Sequence, residues 1–385
     1  MSVTYLQAFL VLTLPVMGLI YALLGGLKLP LAERLGLDEG RVGRLVGGFG
    51  LMVGPTIMLC GFLTDALGRK GVFMAGMVLI SLALMILARG TTYRAALVAV
   101  FLLGAGWSGT INVGNVLMRI SVDSDRLTQA LNFYDFVFGF GAFVTPFVLG
   151  LLLKRLGFGG GLGLLALLAL LPVALGALAP MDPPAPAAAA AAAPDAGLKT
   201  LFASRVFWLA GLAFLFYVPI ESSVAGWATT LVTRQGPGGE RAASLALSGF
   251  WLAFMGSRLL VSIVGLHGHE HAALQALSIA AVGLAAALVM LRGRGAVATA
   301  VVLAGAICGP VFPTLIGVFL GGVPEAVLGR AVGFFFAFAS VGWTVIPSLI
   351  GAVARRSGNI QRGFGVAAVS GALFAALIAL LQLLT

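Results

Sequence analysis

The stretch GFLTDALGRK, residues Gly61–Lys70, forms a short polar break between two long apolar runs. It carries one acid, Asp65, followed by a glycine and two bases, whereas the runs on either side hold few charged residues. Such a mixture between runs of about 20 apolar residues is typical of a loop at a membrane surface. We therefore expect the two flanking runs to be membrane-spanning helices.

The composition of the whole chain predicts the same class of protein. Its 385 residues are 60% hydrophobic and 9% charged, against about 25% charged in an ordinary soluble domain. Lipid cannot satisfy exposed backbone N–H and C=O groups, so the spans should be helices. The sequence predicts an all-α integral membrane protein with twelve spans, at residues 6–27, 41–63, 71–88, 95–119, 127–153, 158–179, 205–232, 244–266, 271–291, 296–321, 328–353 and 363–384.

The remaining general features exclude other classes. The first apolar run lacks a basic leader and a cleavage site, so we expect it to be a retained span. The formal charge is +10, but the bases are scattered at span ends, which favours contact with the lipid bilayer over nucleic acid. Cys60 and Cys308 both lie in spans, where we expect small buried side chains without a disulfide or metal role.

A low-complexity segment predicts the domain organisation. Residues 181–200, rich in Ala and Pro, are too polar to span and read as a cytoplasmic linker between six-span bundles at 1–180 and 201–385. The pattern Gly-x4-Pro-x3-Gly at 141–150 recurs at 342–351. This match indicates pseudo-symmetric repeats, in which a solute binds between the halves.

The loop at 61–70 resembles the signature loop of the major facilitator superfamily. Within that superfamily, the segments 131–146, 216–227, 256–258 and 309–314 are similar to those of the fucose and glucose/galactose symporter family. The resemblance implies a monosaccharide or related polyol as the solute, transport by alternating access, a monomer, and both termini on the cytoplasmic side of the cell inner membrane.

Two features depart from that resemblance. The family carries acids in its first and fourth spans, but here the first span has only Lys28, and Ile111 or Asn112 occupies the place in the fourth. Proton symport therefore cannot be transferred from the family, and uniport stays open. In addition, more Lys and Arg fall on the side opposite the Asp65 loop than on its own side, against the positive-inside rule.

The signature loop itself is expected to be a gate and not a substrate site. Asp65 should cap or pair with the helix that follows and pair with Arg residues at the end of another span, which would hold one conformation. Gly68, Arg69 and Lys70 belong to the same element. For the two bases, plain anchoring to lipid headgroups is the alternative.

Three ionisable residues lie deep in spans, where a charge costs about 2.5–3.5 kcal/mol or more unless it faces a cavity or a partner. Asp135 and Glu221 are candidates for hydrogen bonding to sugar hydroxyls or for proton binding, and structural contacts between helices are the alternative. Arg258 is expected to be structural or gating, in a pair with one of these acids. It could also bind a carboxylate solute, since a guanidinium matches that geometry.

Neutral polar and aromatic residues complete the candidate substrate site. Amides offer both donors and acceptors, so we expect them to suit sugar hydroxyls, with interhelical hydrogen bonds as the alternative. Tryptophans could stack on a sugar ring, although packing is their commoner role. The candidates are Asn112, Asn115, Asn132, Trp107 and Trp227, with Trp251 and Trp343 as weaker ones.

No pattern predicts an enzyme, a metal site or a cofactor. His267–His271 holds three histidines in a short loop without further ligands, and the sequence has no phosphate-binding loop or catalytic cluster. The leading hypothesis is a secondary or facilitative carrier of a small polar solute, with a monosaccharide favoured. The alternatives are a carrier of an organic anion, an antiporter of an amphipathic drug-like compound and, least favoured, a membrane sensor or intramembrane enzyme.

Overall fold

The computed structural model describes residues 2–182, 194–236 and 239–384. All regular secondary structure in these residues is helical. Most of the predicted linker, residues 183–193, lies outside the described residues. The helices are α1 (Ser2–Leu35), α2 (Glu39–Leu67), α3 (Arg69–Arg89), α4 (Tyr93–Ile120), α5 (Leu127–Leu168), α6 (Leu171–Leu178), α7 (Pro194–Ala203), α8 (Arg205–Thr233), α9 (Glu240–Val264), α10 (Glu270–Met290), α11 (Arg294–Cys308), α12 (Val311–Gly321), α13 (Leu328–Ser357) and α14 (Ile360–Leu384).

These helices confirm the predicted all-α membrane fold. Eleven helical stretches of the described residues are long and apolar enough to cross a membrane. One of them, Ser124–Leu178, has 55 residues and contains the predicted fifth and sixth spans. It turns at Gly157, whose φ of 67° and ψ of 178° are not helical. Glycine adopts such a φ without the steric cost of a side chain.

Helix starts and breaks follow local chemistry. The side chains of Asp38, Thr92 and Ser204 accept hydrogen bonds from backbone N–H groups in the first turns of α2, α4 and α8, as good N-caps do. The predicted span 296–321 corresponds to one candidate membrane span, Arg294–Gly321. Within it Gly309 and Pro310 separate α11 from α12, although both keep right-handed helical φ and ψ. Pro310 at this point cannot donate a backbone hydrogen bond.

Spatial contacts divide the chain into two compact units. The first contains Met1–Asp123, Val137–Leu198 and Val323–Ala337, and the second contains Ser124–Phe136, Lys199–Gly322 and Phe338–Thr385. Both α5 and α13 therefore contribute their first residues to one unit and their remainder to the other. The domain boundaries expected at the linker stay a prediction.

Candidate substrate site and gate

The second unit brings Asn132 and Asp135 together on one face of α5, since residues three apart share a face. Asn132 is fully buried, and its Nδ2 donates to the carbonyl oxygen of Thr128 at 2.9 Å and to Thr314 Oγ1 at 3.5 Å. Asn132 Oδ1 and Asp135 Oδ2 are buried without a hydrogen-bond partner among the described residues. Buried polar atoms are normally paired, and these two acceptors each retain the capacity to accept a hydrogen bond.

Glu221 lies on α8, one turn after Tyr217 and two residues after Pro219. Glu221 Oε2 is 2.6 Å from the hydroxyl oxygen of Tyr217, and that hydroxyl is also 2.7 Å from the carbonyl oxygen of Cys308. Tyr217 is fully buried. The acid on α8 is thereby connected through one tyrosine to the end of α11.

Arg258, on α9, lies in the same part of the second unit. Its Nε donates to the carbonyl oxygen of Gly309 at 2.7 Å, and its Nη1 donates to the backbone carbonyl oxygen of Asp135 at 3.3 Å. Its guanidinium carbon lies 4.1 Å from the ring centre of Phe254, a favourable cation–π distance. The positive charge acts electrostatically on the carboxyl groups of both Asp135 and Glu221.

The break between α11 and α12 is held by these side chains. Tyr217 contacts the carbonyl oxygen of Cys308, and Arg258 donates to that of Gly309. The last carbonyls of a helix have no partner within the helix, so side chains from α8 and α9 supply partners here. A Cβ on Gly309 would collide with Ser257 Oγ and the carbonyl oxygen of Phe254, which shows how closely α9 approaches this break.

The first unit contains the signature loop, where Asp65 contacts the beginning of α13. Asp65 Oδ1 accepts from the backbone N–H of Gly329 at 2.8 Å. Asp65 Oδ2 accepts from the backbone N–H of Arg330 at 3.0 Å and from its Nε at 2.8 Å. The acid thus both pairs with an arginine and caps a helix N-terminus, where the helix dipole favours negative charge.

The cap of α3 differs from our expectation, because Asp182 provides it and Asp65 does not. Asp182 Oδ1 accepts from the backbone N–H of Arg69 at 2.6 Å, beside Gly68, whose φ is 93°. The side chain of Arg69 forms an ion pair with Glu325 at 2.7 Å. Lys70 Nζ donates to the carbonyl oxygen of Ala177 at 2.5 Å.

The two asparagines of α4 form different kinds of hydrogen bond. Asn112 is fully buried; it accepts from Thr64 Oγ1 at 3.0 Å and donates to the carbonyl oxygen of Gly329 at 2.9 Å. Asn115 donates to the carbonyl oxygen of Ile111, within its own helix, at 2.9 Å. The contacts of Asn112 match the alternative of interhelical hydrogen bonds, whereas Asn115 bonds only to its own helix.

The tryptophans occupy different surroundings. Trp107 is buried in the first unit and packs with Tyr21 and Phe138, at centroid distances of 5.1 and 5.7 Å. Trp227 is half-buried in the second unit. Trp251 and Trp343 are exposed.

Sequence reasoning missed three partners that the structure brings to these sites. Tyr217 could have been found, since a residue four positions before Glu221 lies on the same helix face. Asp182 and Glu325 gave no local signal, because each contacts Arg69 across more than a hundred residues of sequence.

The fold and its buried charges are those of a multi-pass membrane transporter. The chain belongs to the major facilitator superfamily, whose family model matches residues 9–347. No curated protein matches the chain in sequence.

Solved structures agree with this family. The fold is similar to that of the E. coli fucose:proton symporter FucP, with a TM-score of 0.85, 18% identity and coverage of 99% of both chains. A bacterial homologue of the iron transporter ferroportin gives a TM-score of 0.79 at 13% identity, covering 98% of this chain and 99% of the other. The human organic anion transporter TETRAN gives 0.75 at 18% identity, covering 99% of both.

Proposed function

We propose that the protein is a carrier of a small neutral polyhydroxylated solute, favouring a monosaccharide, that works by alternating access. The observation that carries this proposal is the pair of buried acceptors without partners, Asn132 Oδ1 and Asp135 Oδ2. A sugar presents several hydroxyl donors, so it can satisfy both acceptors at once. A buried acceptor left unpaired costs about 1–3 kcal/mol, and this energy favours binding of such a donor.

The charges of the cluster also favour a neutral solute over an anion. Asp135 and Glu221 are two acids against a single base, Arg258, so an added carboxylate would meet two carboxyl groups. Arg258 already donates to the carbonyl oxygens of Gly309 and Asp135. The fold of a fucose:proton symporter, similar over 99% of the chain, supports the same solute class, since FucP is named for a sugar.

A second candidate is a carrier of an organic anion that pairs with Arg258. It is favoured by the burial of this base, which is 7% exposed, and by the similar fold of an organic anion transporter. An amphipathic compound exported by antiport is the further alternative.

Localisation and gating follow from the same proposal. The protein lies in the cell inner membrane as a monomer, with both termini and the Asp65 loop in the cytoplasm. The contact between Asp65 and Arg330 joins the last turn of α2, in the first sequence half, to α13 in the second, within the first unit. Breaking it is the step that lets the carrier change conformation.

The proposal is tested by ligand stabilisation of the purified protein in detergent. A solute that binds the folded state raises the melting temperature by mass action. Monosaccharides should raise it in the wild type and lose most of this effect in Asp135→Asn, whereas aromatic carboxylates and hydrophobic cations should not raise it. Stabilisation by a carboxylate that is lost in Arg258→Gln would instead establish the anion carrier.

A further inference from the structure

The hydroxyl of Tyr217 makes two contacts that its single proton cannot serve. It lies 2.6 Å from Glu221 Oε2 and 2.7 Å from the carbonyl oxygen of Cys308. Both distances are those of a full O–H···O hydrogen bond. A carbonyl oxygen has no proton to donate, and a phenol has one. The second proton must therefore come from the carboxyl group of Glu221.

The opposite assignment leaves a repulsive contact. If Glu221 were ionised, Tyr217 would have to donate to it. The phenolic oxygen and the carbonyl oxygen of Cys308 would then lie 2.7 Å apart with no proton between them. Both oxygens belong to fully buried residues, so water could not easily separate them.

The charges around Glu221 agree with a bound proton. Four groups act on it or lie beside it: Tyr217 on its own helix, Arg258 on α9, Asp135 on α5 and the Cys308 thiol on α11. The other helices packed against α8 are α12, α13 and α14. Of these, α12 has no ionisable side chain, α14 has Arg362 in its first turn, and α13 has Arg330 near its start and Arg355 and Arg356 in its last turn. Two acids facing one base are electrically neutral only when one acid is protonated, and uncompensated charge is costly inside a membrane.

We propose that Glu221 is a proton-binding site, that its carboxyl group donates to Tyr217, and that Tyr217 in turn donates to the carbonyl oxygen of Cys308. Asp135 stays ionised and is balanced by Arg258. When the O–H bond of Glu221 breaks, the proton passes to water and Tyr217 turns to donate to the carboxylate. The end of α11 then loses its partner, next to the carbonyl of Gly309 that Arg258 holds.

The proton on Glu221 thereby determines whether Tyr217 donates a hydrogen bond to Cys308 at the α11–α12 break. Tyr217 is a positioning residue, because it acts through Glu221 and Cys308 and need not touch a solute. The inference that this proton is the coupling ion rests on the proposed carrier function. The protonation of Glu221 itself does not, so the two can fail separately.

The test is infrared spectroscopy of the purified protein at neutral pH without any solute. The C=O stretch of a protonated carboxylic acid lies apart from the bands of carboxylates and amides. We expect such a band in the wild type, and we expect it to move when the protein is made by cell-free synthesis with glutamate labelled with ¹³C at the side-chain carboxyl. It should disappear in Glu221→Gln and shift in Tyr217→Phe, where the carboxyl loses the oxygen to which it donates.

A matched control makes the same chemical change elsewhere. Glu325→Gln alters an acid whose side chain is 59% exposed and should leave the band unchanged. The proposal would be overturned if the wild type lacked the band. It would also be overturned if the band moved on labelling of aspartate and not on labelling of glutamate. Both measurements use the unmutated protein. A band unmoved in Tyr217→Phe would overturn the role of Tyr217. If the protein does not transport sugar, the expected spectra stay the same, so the two proposals can be tested separately.

Discussion

Asp65 Oδ2 lies 2.8 Å from Arg330 Nε, and the two side chains are only 9% and 11% exposed. The same carboxylate accepts the backbone N–H groups of Gly329 and Arg330. One acid therefore forms a buried ion pair and caps α13, although 265 positions of sequence separate it from its arginine. In the proposed carrier, the signature loop acts as a gate through this contact and does not bind the solute.

Asp65→Asn should lower stability and impair transport, because it removes the charge of a buried pair while keeping the volume of the side chain. Breaking one partner of such a pair costs about 3–5 kcal/mol in soluble proteins. The melting temperature in detergent and the rate of solute uptake measure the two effects.

The control for this change is Glu325→Gln, which breaks the ion pair of Arg69 in the same unit. Since Glu325 is 59% exposed, we expect a cost of about 0–1 kcal/mol. Equal melting temperatures for Asp65→Asn and Glu325→Gln would show that burial of the Asp65 pair contributes nothing.

The repeated Gly-x4-Pro-x3-Gly pattern gives a second prediction. A Cβ on Gly141 would collide with the backbone carbonyl of Pro15, and one on Gly342 with that of Leu215. Gly141→Ala and Gly342→Ala should therefore reduce stability, although alanine is the better helix former by about 1 kcal/mol. Small residues allow such close approach of helices in membranes.

The last glycine of the pattern supplies the control. A Cβ on Gly150 would meet nothing within 4 Å, so Gly150→Ala should be neutral or slightly stabilising. Yield and melting temperature of the purified variants are the measurements. If Gly141→Ala and Gly150→Ala melt alike, the close contact with α1 is not a constraint on the fold.

The two acids Asp135 and Glu221 should give different transport defects. Glu221→Gln cannot release a proton, so it should lose accumulation driven by a proton gradient but keep exchange of solute between the two sides. Asp135→Asn keeps Glu221 but alters an acceptor for the solute, so it should raise the KM for uptake. Counterflow and gradient-driven uptake in liposomes distinguish these cases; identical defects would contradict the separation of roles.

Arg258→Lys should impair transport although it keeps the charge. Arg258 donates in two directions, through Nε to Gly309 and through Nη1 to Asp135, whereas a lysine has a single nitrogen. Losing one buried hydrogen bond costs about 1–3 kcal/mol, so uptake should fall about tenfold. As a control, Arg292→Lys alters an exposed arginine at the end of α10 and should transport normally.

The membrane fold could be predicted from the sequence because membrane spans require long apolar runs. In lipid such runs form helices, since the backbone N–H and C=O groups must bond to each other. The interruption after Cys308 was not predicted, since proline is common inside membrane helices and α8 continues through Pro219. The sequence also did not predict that the Asn112 amide hydrogen-bonds to both Thr64 and Gly329. The direction of a polar side chain depends on helix rotation, which a run of apolar residues does not specify.

The long-range partners of the signature loop could not be predicted from the sequence, for a different reason. Nothing near Asp182 or Arg330 marks them as partners of the signature loop, since each contact forms only when distant helices pack. By contrast, the spacing of three between Asn132 and Asp135 is enough to place them on one helix face, and the structure adds that both have an acceptor without a partner.

Uptake of a radiolabelled monosaccharide into liposomes containing the purified protein, with and without an inward proton gradient, tests the proposed carrier most directly. We predict saturable sugar uptake that rises above equilibrium only with the gradient, with Glu221→Gln still equilibrating sugar but no longer accumulating it. Sugar entry no faster than into protein-free liposomes under either condition would contradict the proposed function.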